Sequence, residues 1–101
     1  MSAQAEHPRH KLNELVHSPV RFSIMAALAK AESLDFKDLR DAIQVSDSVL
    51  SKQLSILEKA EFVKIKKSFA GKFPRTSASL TGTGRNVWAA HLQSLREIAG
   101  G

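Results

Sequence analysis

The chain has 101 residues, with 15 lysine or arginine against 10 aspartate or glutamate, so its formal net charge is +5. This length suits one domain, and 43% apolar with 25% charged residues is typical of a folded protein rather than a disordered one. The absence of cysteine excludes disulfides, thiolate metal sites and cysteine nucleophiles. No apolar run approaches the roughly 18 residues of a membrane span. The start, MSAQAEHPRHKLNE, has no apolar signal core, so we expect a cytoplasmic protein.

The positive surplus lies in one stretch of the sequence. Between positions 62 and 79 there are five basic residues and no acidic one, whereas the rest of the chain is balanced at ten against ten. The five are Lys64, Lys66, Lys67, Lys72 and Arg75. Such a patch attracts polyanions. Lysines on a strand also discourage association between sheet edges, so charge alone leaves both interpretations open.

The first eight residues, ending at Pro8, are predicted to be a flexible tail, and residues 9–99 a single domain. After the tail, apolar residues at helical spacing predict a short helix from Arg9 to His17. These residues are Leu12, Leu15 and Val16. Ser18-Pro19 then provides a strong start signal for a core helix that runs to about Ala31.

Two further helices follow, with a tight turn between them. Asp35 is placed to cap the first, which runs from about Phe36 to Ile43. Ser46 is placed to cap the second, which runs to about Ala60 and repeats leucine at positions 50, 54 and 57. This arrangement indicates a helix-turn-helix unit, whose second helix offers its polar face to the major groove.

The polar face of that second helix carries groups that can contact base edges. Its candidate DNA-binding residues are Ser46, Asp47, Ser48, Ser51, Lys52 and Ser55. Short hydroxyls fit a crowded groove, and Lys52 can reach guanine acceptors or a phosphate. Asp47 would repel phosphate, although it could accept from a cytosine amino group. An ordinary amphipathic helix also has a polar face, so this helix alone leaves DNA binding open.

The pattern changes at Phe62, where apolar residues and lysines begin to alternate as in a half-buried strand. A turn around Gly71 and a second strand from Arg75 to Leu80 complete a basic hairpin, with Pro74 predicting a loose start or an edge position. A helix-turn-helix followed by such a hairpin is the order of a winged helix, whose wing cations meet phosphates. We expect a mainly α fold with a small β-hairpin wing (α+β), about five helices and a two- to three-stranded antiparallel sheet.

A last helix, capped by Thr81 or Thr83, carries another apolar stripe. The stripe packs either on its own domain or on a second copy. Three central helices already supply a core, so the terminal apolar residues exceed what one domain needs, and we predict a homodimer. The candidate interface residues are Leu12, Leu15, Val16, Trp88, His91, Leu92, Leu95 and Ala99.

Nothing in the sequence is arranged as a catalytic or metal-binding motif. The four histidines are scattered, no G-x-S-x-G motif occurs, and Gly82-x-Gly84 lacks the last glycine of a nucleotide-binding loop. With no tyrosine and six other aromatic residues, there is no obvious stacking platform for single-stranded RNA. We therefore expect no enzyme activity, metal, cofactor or membrane partner.

Three segments, HSPVRFSIMAALA, LDFKDLRDAIQVSDSVLSKQLSILEKAEFVKIKK and GKFPRTSASLTGTGR, resemble small winged-helix transcriptional regulators related to the MarR and ArsR groups. The resemblance covers about residues 9–99, and VSDSVLSKQLSILEKAEFV is its most specific part. It implies a dimer on pseudo-palindromic operators. The implied recognition residues are Ser48, Ser51, Lys52 and Ser55, and the implied wing contacts are Lys72 and Arg75. The chain lacks the metal-sensing cysteines of the ArsR group and the longer flanking helices of larger MarR proteins, so any small-molecule effector is unknown.

The sequence therefore predicts a homodimeric, sequence-specific transcriptional regulator of double-stranded DNA. Its recognition helix would lie in the major groove and its basic wing on the backbone or in the minor groove. The alternative is a winged-helix module for protein–protein interaction, whose wing binds an acidic protein without specific DNA binding.

Overall fold

The computed structural model describes residues 7–100 and has the expected α+β winged-helix architecture. Within those residues there are four α-helices rather than about five, and three strands. In chain order they are α1 (Pro19–Ala29), β1 (Leu34–Asp35), α2 (Phe36–Ile43), α3 (Asp47–Lys59), β2 (Val63–Ala70), β3 (Phe73–Leu80) and α4 (Gly82–Ile98). The strands form one antiparallel sheet in the order β1-β3-β2. None of the described helices is long and apolar enough to cross a membrane.

The N-terminal segment is not the α-helix that the apolar spacing predicted. It forms a 3-10 helix, Pro8–Lys11, followed by a turn in which Asn13 O accepts from the N–H groups of Val16 and His17. The Asn13 side chain also accepts from Val16 N–H at 3.1 Å, and such a local bond offers the backbone an alternative to a helix. The predicted tail lies outside the described residues except for His7 and Pro8.

The core is built where α1 crosses the helix-turn-helix unit and the sheet. Helices α1, α2 and α3 and strands β2 and β3 bury apolar residues, as the sequence periodicity predicted for α1 and α3. The fully or almost fully buried apolar residues are Val16, Ile24, Met25, Leu28, Leu39, Leu50, Leu54, Leu57, Val63, Ala78 and Leu80. This shared core holds α3 rigidly while its opposite face remains in solvent.

Two of the predicted side-chain caps are absent, and a third is present. Ser18 and Asp35 occupy the N-cap positions of α1 and α2 but make no side-chain capping bond. The Asp35 carboxylate instead lies 3.5 Å from Arg75 Nε on β3. Ser46 does cap α3, since its hydroxyl accepts from Val49 N–H at 3.2 Å.

The hairpin is longer than predicted, because β2 and β3 pair over eight residues each around a two-residue turn. Gly71, at φ +64, supplies the left-handed conformation that this turn requires. Pro74 is tolerated although β3 is the central strand. β1 reaches only Ser77 and Ala78, so Pro74 lies at a part of β3 that has β2 as its single neighbour.

A tight junction ties the end of α3 and the start of the wing to the start of α4. Thr81 N–H donates to Phe62 O at 3.1 Å, and Thr81 Oγ1 donates to Glu61 O at 2.7 Å. The same Oγ1 caps α4 by accepting from Gly84 N–H at 2.8 Å. Gly84 itself packs directly against the backbone of Phe62, leaving no space for a side chain.

We expect Gly84→Ala to destabilise the domain, because the new Cβ would overlap the Phe62 carbonyl. Overpacking of this kind costs about 2–3 kcal/mol, or a fall in Tm of roughly 10 °C or more. Gly82→Ala is the matched control, since a Cβ at Gly82 meets nothing within 4 Å. The control should be neutral or slightly stabilised, because alanine favours helices. Thermal unfolding of both variants checks this, and equal Tm values would contradict it.

Candidate nucleic-acid interface

The turn between α2 and α3 sets the direction of the recognition helix, α3. Helix α2 ends at Ile43, and Gln44 takes the left-handed conformation, φ 56 and ψ 54. Its N–H donates to Arg40 O at 2.9 Å, closing the end of α2. The Ser46 cap then starts α3 at Asp47. Only three residues separate the helices, as a helix-turn-helix requires.

The two faces of α3 separate as predicted into a buried leucine face and a polar face. The candidate residues on the polar face that are exposed are Ser46, Asp47, Ser48, Ser51 and Lys52, whereas Ser55 is half-buried. The Ser46 hydroxyl is engaged as the helix cap and lies 3.3 Å from Ser48 Oγ. The N-terminal half of α3 therefore offers short hydroxyls and one lysine to a partner.

Asp47 is held in an ion pair that the sequence did not suggest. Arg40 Nη1 lies 2.8 Å from Asp47 Oδ1, and Arg40 Nη2 lies 3.1 Å from Asp41 Oδ1. The hydrogen bond to Asp47, followed by that to Asp41, raises the pKa of Arg40 above its usual range. Arg40 offsets the negative charge that Asp47 would otherwise present to phosphate. The sign of this pair in the sequence is that Arg40 stands seven residues before Asp47, with the predicted turn between them.

Arg21 of α1 connects α3 to the N-terminal segment. Its Nε donates to Leu15 O, and its Nη1 donates to Gln53 Oε1 at 2.7 Å. Gln53 is half-buried on α3, so this bond helps to fix the rotation of the recognition helix. The sequence pattern gave no indication of this role for Arg21.

A cleft of about 1040 Å³ lies between α3 and the wing, which is the hairpin of β2 and β3. Ser51 and Ser55 line it from α3, and Lys67 and Arg75 line it from the wing. Lys37 of α2 lines it as well, a cation that the sequence analysis missed because it lies outside both the recognition helix and the hairpin. The structure thus gathers polar groups of three elements around one open surface.

The five predicted wing cations are all exposed, but they do not share one face. Strand alternation puts Lys67 on the same face as the buried Val63, which is the side of the helices. Lys64 and Lys66 lie on the other face, where they line a second, smaller cleft together with Arg75. Lys72 lies in the turn at the end of the hairpin. Arg75 is paired with Asp35 and reaches both clefts.

The comparison of sequences decides the family. The chain matches the family described as winged helix DNA-binding domain over residues 20–99. It belongs to this family. No curated protein sequence matches it.

Solved structures place this winged helix among transcriptional regulators. A transcriptional regulator homologue from Pyrococcus horikoshii OT3 is 25% identical, with a TM-score of 0.82 and 87% of each chain covered. A MarR-family regulator from Enterococcus faecalis V583 is 23% identical, with a TM-score of 0.73 over 85% of this chain and 76% of that one. NadR, in complex with 4-hydroxyphenylacetate, is 22% identical, with a TM-score of 0.74 over 99% of this chain and 82% of that one. The predicted winged-helix fold is confirmed, and the structural neighbours include a regulator of the MarR family.

The candidate dimer residues of this winged helix are not equally accessible. Val16 and His91 are buried within the protomer, at 0% and 1% exposure. We therefore expect them to pack beneath the proposed dimer interface rather than to contact the partner protomer. The other candidates retain exposed area, with Ala99 exposed and five half-buried, namely Leu12, Leu15, Trp88, Leu92 and Leu95.

His91 joins α4 to the N-terminal segment in its neutral form. Asn13 N–H donates to His91 Nδ1 at 3.2 Å, so that nitrogen must be unprotonated. The other ring nitrogen, Nε2, faces His17 Nδ1 at 3.4 Å. Burial lowers the pKa of His91 below the usual 6.5, and the nearby His17 lowers it further. No group of three or more potential metal ligands is present among residues 7–100.

We expect the domain to lose stability as the pH falls below about 6.5, the pKa of histidine in the unfolded chain. The native pKa of His91 is lowered, so the unfolded state binds more protons in that range. The stabilisation is complete above the unfolded pKa and declines below it. His91→Gln should flatten this dependence of Tm on pH, whatever its effect on Tm itself. His10→Gln is the control, since His10 is exposed, and a slope that survives in His91→Gln would contradict the assignment.

Proposed function

We propose that the protein is a sequence-specific transcriptional regulator that binds double-stranded DNA as a homodimer at pseudo-palindromic operators. The observation that carries the proposal is the cleft where the polar face of α3 meets wing cations, in a chain of the winged helix DNA-binding family. The cytoplasmic location expected from the sequence goes with this function. A small-molecule effector of unknown class is compatible with it, as NadR was solved with 4-hydroxyphenylacetate.

In the proposed complex, α3 reads bases in the major groove. Ser48, Ser51 and Lys52 are exposed on its N-terminal half, with Ser55 deeper in the cleft. Serine hydroxyls donate and accept, and a lysine favours the acceptors of guanine. Ser46 contributes mainly by capping the helix, and Asp47 is available to a cytosine amino group only while Arg40 offsets its charge.

The wing and its neighbours supply the phosphate contacts in this proposal. The cations on the side of the cleft or at the end of the hairpin are Lys37, Lys67 and Lys72. Arg75 joins them when its pairing with Asp35 is exchanged for a phosphate. Lys64 and Lys66 lie on the opposite face of the wing, so they act through the overall field more than through direct contact.

The proposed dimer uses the apolar surface that α4 and the N-terminal segment leave accessible. Helix α4 has 17 residues, which gives it a length of about 25 Å. Near its end Ile98 is 40% exposed, beside the exposed Ala99. A two-fold axis along this surface would place two recognition helices on successive half-sites, as a palindromic operator requires.

We expect Lys52→Ala and Lys72→Ala to weaken DNA binding in different ways. Loss of a base contact at Lys52 should cost about 1–3 kcal/mol and relax the preference at one position of a site selected from random DNA. Loss of a phosphate contact at Lys72 should weaken binding to every sequence alike. With about four cations per protomer on phosphate, log K should fall against log salt with a slope near −7, and Lys72→Ala should reduce that slope by about 2.

The control for this experiment is Lys30→Ala, an exposed lysine directly after α1 and outside both clefts. It should leave affinity and slope nearly unchanged. If the wild-type protein ignores duplex DNA or binds it without salt dependence, the proposal fails. The protein would then fit the alternative, a winged-helix module that binds an acidic protein.

We expect the wild-type protein to have twice the 11.1 kDa mass of the chain in light scattering. Leu95→Glu combined with Ala99→Glu should yield monomers, because two carboxylates from each protomer would be buried at the two-fold surface without partners. Arg96→Glu, exposed on the same turn of α4, is the matched control and should stay dimeric. A monomeric wild-type protein, or a dimer that resists the double substitution, would contradict the proposed interface.

A further inference from the structure

Two phenylalanines are exposed at the end of the wing. Phe69 is 74% exposed and Phe73 is 76% exposed, far more than Val49 and Ile98, the other large apolar residues with open surface among those described. They lie on opposite strands, Phe69 across from Pro74 and Phe73 across from Ala70, so strand alternation places one ring on each face of the hairpin. The end of the hairpin is therefore apolar, although the stretch from 62 to 79 is rich in lysine. We call residues 69–74 the wing tip.

The surroundings of these rings determine which partner fits them. Lys72 lies between them in the turn, Lys67 and Arg75 lie next to the tip, and no acidic residue occurs from position 62 to 79. Acidic groups of other elements also lie nearby, since Asp35 pairs with Arg75 and Glu58 lines the cleft beside Phe73, but Lys67, Lys72 and Arg75 outnumber them. An apolar surface with this surplus of cations complements an anionic partner that also has apolar surface. Duplex DNA has both properties, because its backbone phosphates are anionic and the faces of its stacked bases are apolar.

The position of the wing tip beside the cleft also favours duplex DNA as the partner. Phe73 and Pro74 line the cleft to which Ser51 and Ser55 of α3 also contribute. The described residues extend 63 × 24 × 21 Å, so the molecule is elongated rather than rounded. DNA that lies along α3 in the major groove would therefore meet the wing tip at the neighbouring minor groove.

We propose that the wing tip is an apolar wedge, in which Phe69 and Phe73 enter the minor groove and partly unstack a base step. Apolar side chains used in this way kink the duplex, and the cost of unstacking is offset by the additional protein surface that the bent DNA contacts. Lys72 and Arg75 hold the flanking phosphates. This inference rests on the proposed function and adds to it a bend in the operator.

The test uses a duplex in which a mismatch already weakens base stacking, so that the protein need not unstack a base step itself. Two duplexes of about 30 base pairs, of the same arbitrary sequence and labelled with fluorescein, differ only in a central mismatch. Unstacking costs a few kcal/mol per step, so the wild-type protein should bind the mismatched duplex roughly tenfold or more tightly than the intact one, as measured by anisotropy.

Two double variants separate the apolar character of the tip from its shape. Phe69→Ser with Phe73→Ser should bind both duplexes with equal affinity, whereas Phe69→Leu with Phe73→Leu should keep a preference for the mismatch. Lys72→Ala should weaken binding to both duplexes and keep their ratio. Since both rings are about three-quarters exposed, the serine variant should unfold at the wild-type temperature.

The outcomes distinguish this inference from the function on which it rests. A wild-type protein that binds both duplexes equally, or a serine variant that keeps the preference, overturns the wedge and leaves DNA binding intact. A protein that binds neither duplex overturns the proposed function and the wedge together. Binding with a mismatch preference that depends on the two rings supports both.

Discussion

The backbone of Phe62 is the point on which the arrangement of the domain depends. Its carbonyl accepts from Thr81, and Gly84 packs against it without an intervening side chain. In the same few residues α3 ends, the wing begins and α4 begins. Glu61 makes this possible by adopting φ 65 just after α3, so that Phe62 N–H can reach back to Leu57 O. A rigid junction here fixes the angle between the recognition helix and the wing, and also the direction of the terminal helix.

The sequence predicted the elements that follow a strong period or a strong local signal. Leucine spacing predicted the buried face of α3, and Ser46 predicted its start. The alternation of apolar residues with lysines from Phe62 onward predicted the wing. The prediction of an N-terminal α-helix was wrong. Apolar spacing over nine residues is a weak argument for a helix when the Asn13 side chain can accept from the nearby Val16 N–H. The left-handed residues Gln44 and Glu61 carried no signal, because glycine is the usual residue at such positions.

The candidate site was predictable in its parts but not in its electrostatics. Each nominated polar residue of α3 lies on one helix face, which periodicity determines. The Arg40–Asp47 pair and the position of Lys37 depend on how α2 and α3 pack, and helix packing is not encoded in a local pattern. The division of the wing cations between two faces follows from register, once the turn at Gly71 is known to have two residues. The charge surplus of the chain is thus distributed around a wing rather than concentrated on one contact surface.

The guanidinium of Arg21 links the N-terminal segment to the recognition helix. It bonds at once to a carbonyl of the N-terminal segment and to Gln53 of the recognition helix. The N-terminal segment also packs on α4 through Asn13 and His91. Displacement of this segment would remove one of the two acceptors that hold the Arg21 guanidinium, and the other acceptor is on α3, so a single side chain links the two elements. Such linkage is reciprocal, so a change in the position of α3 and a change in the order of the N-terminal segment would affect each other by the same free energy.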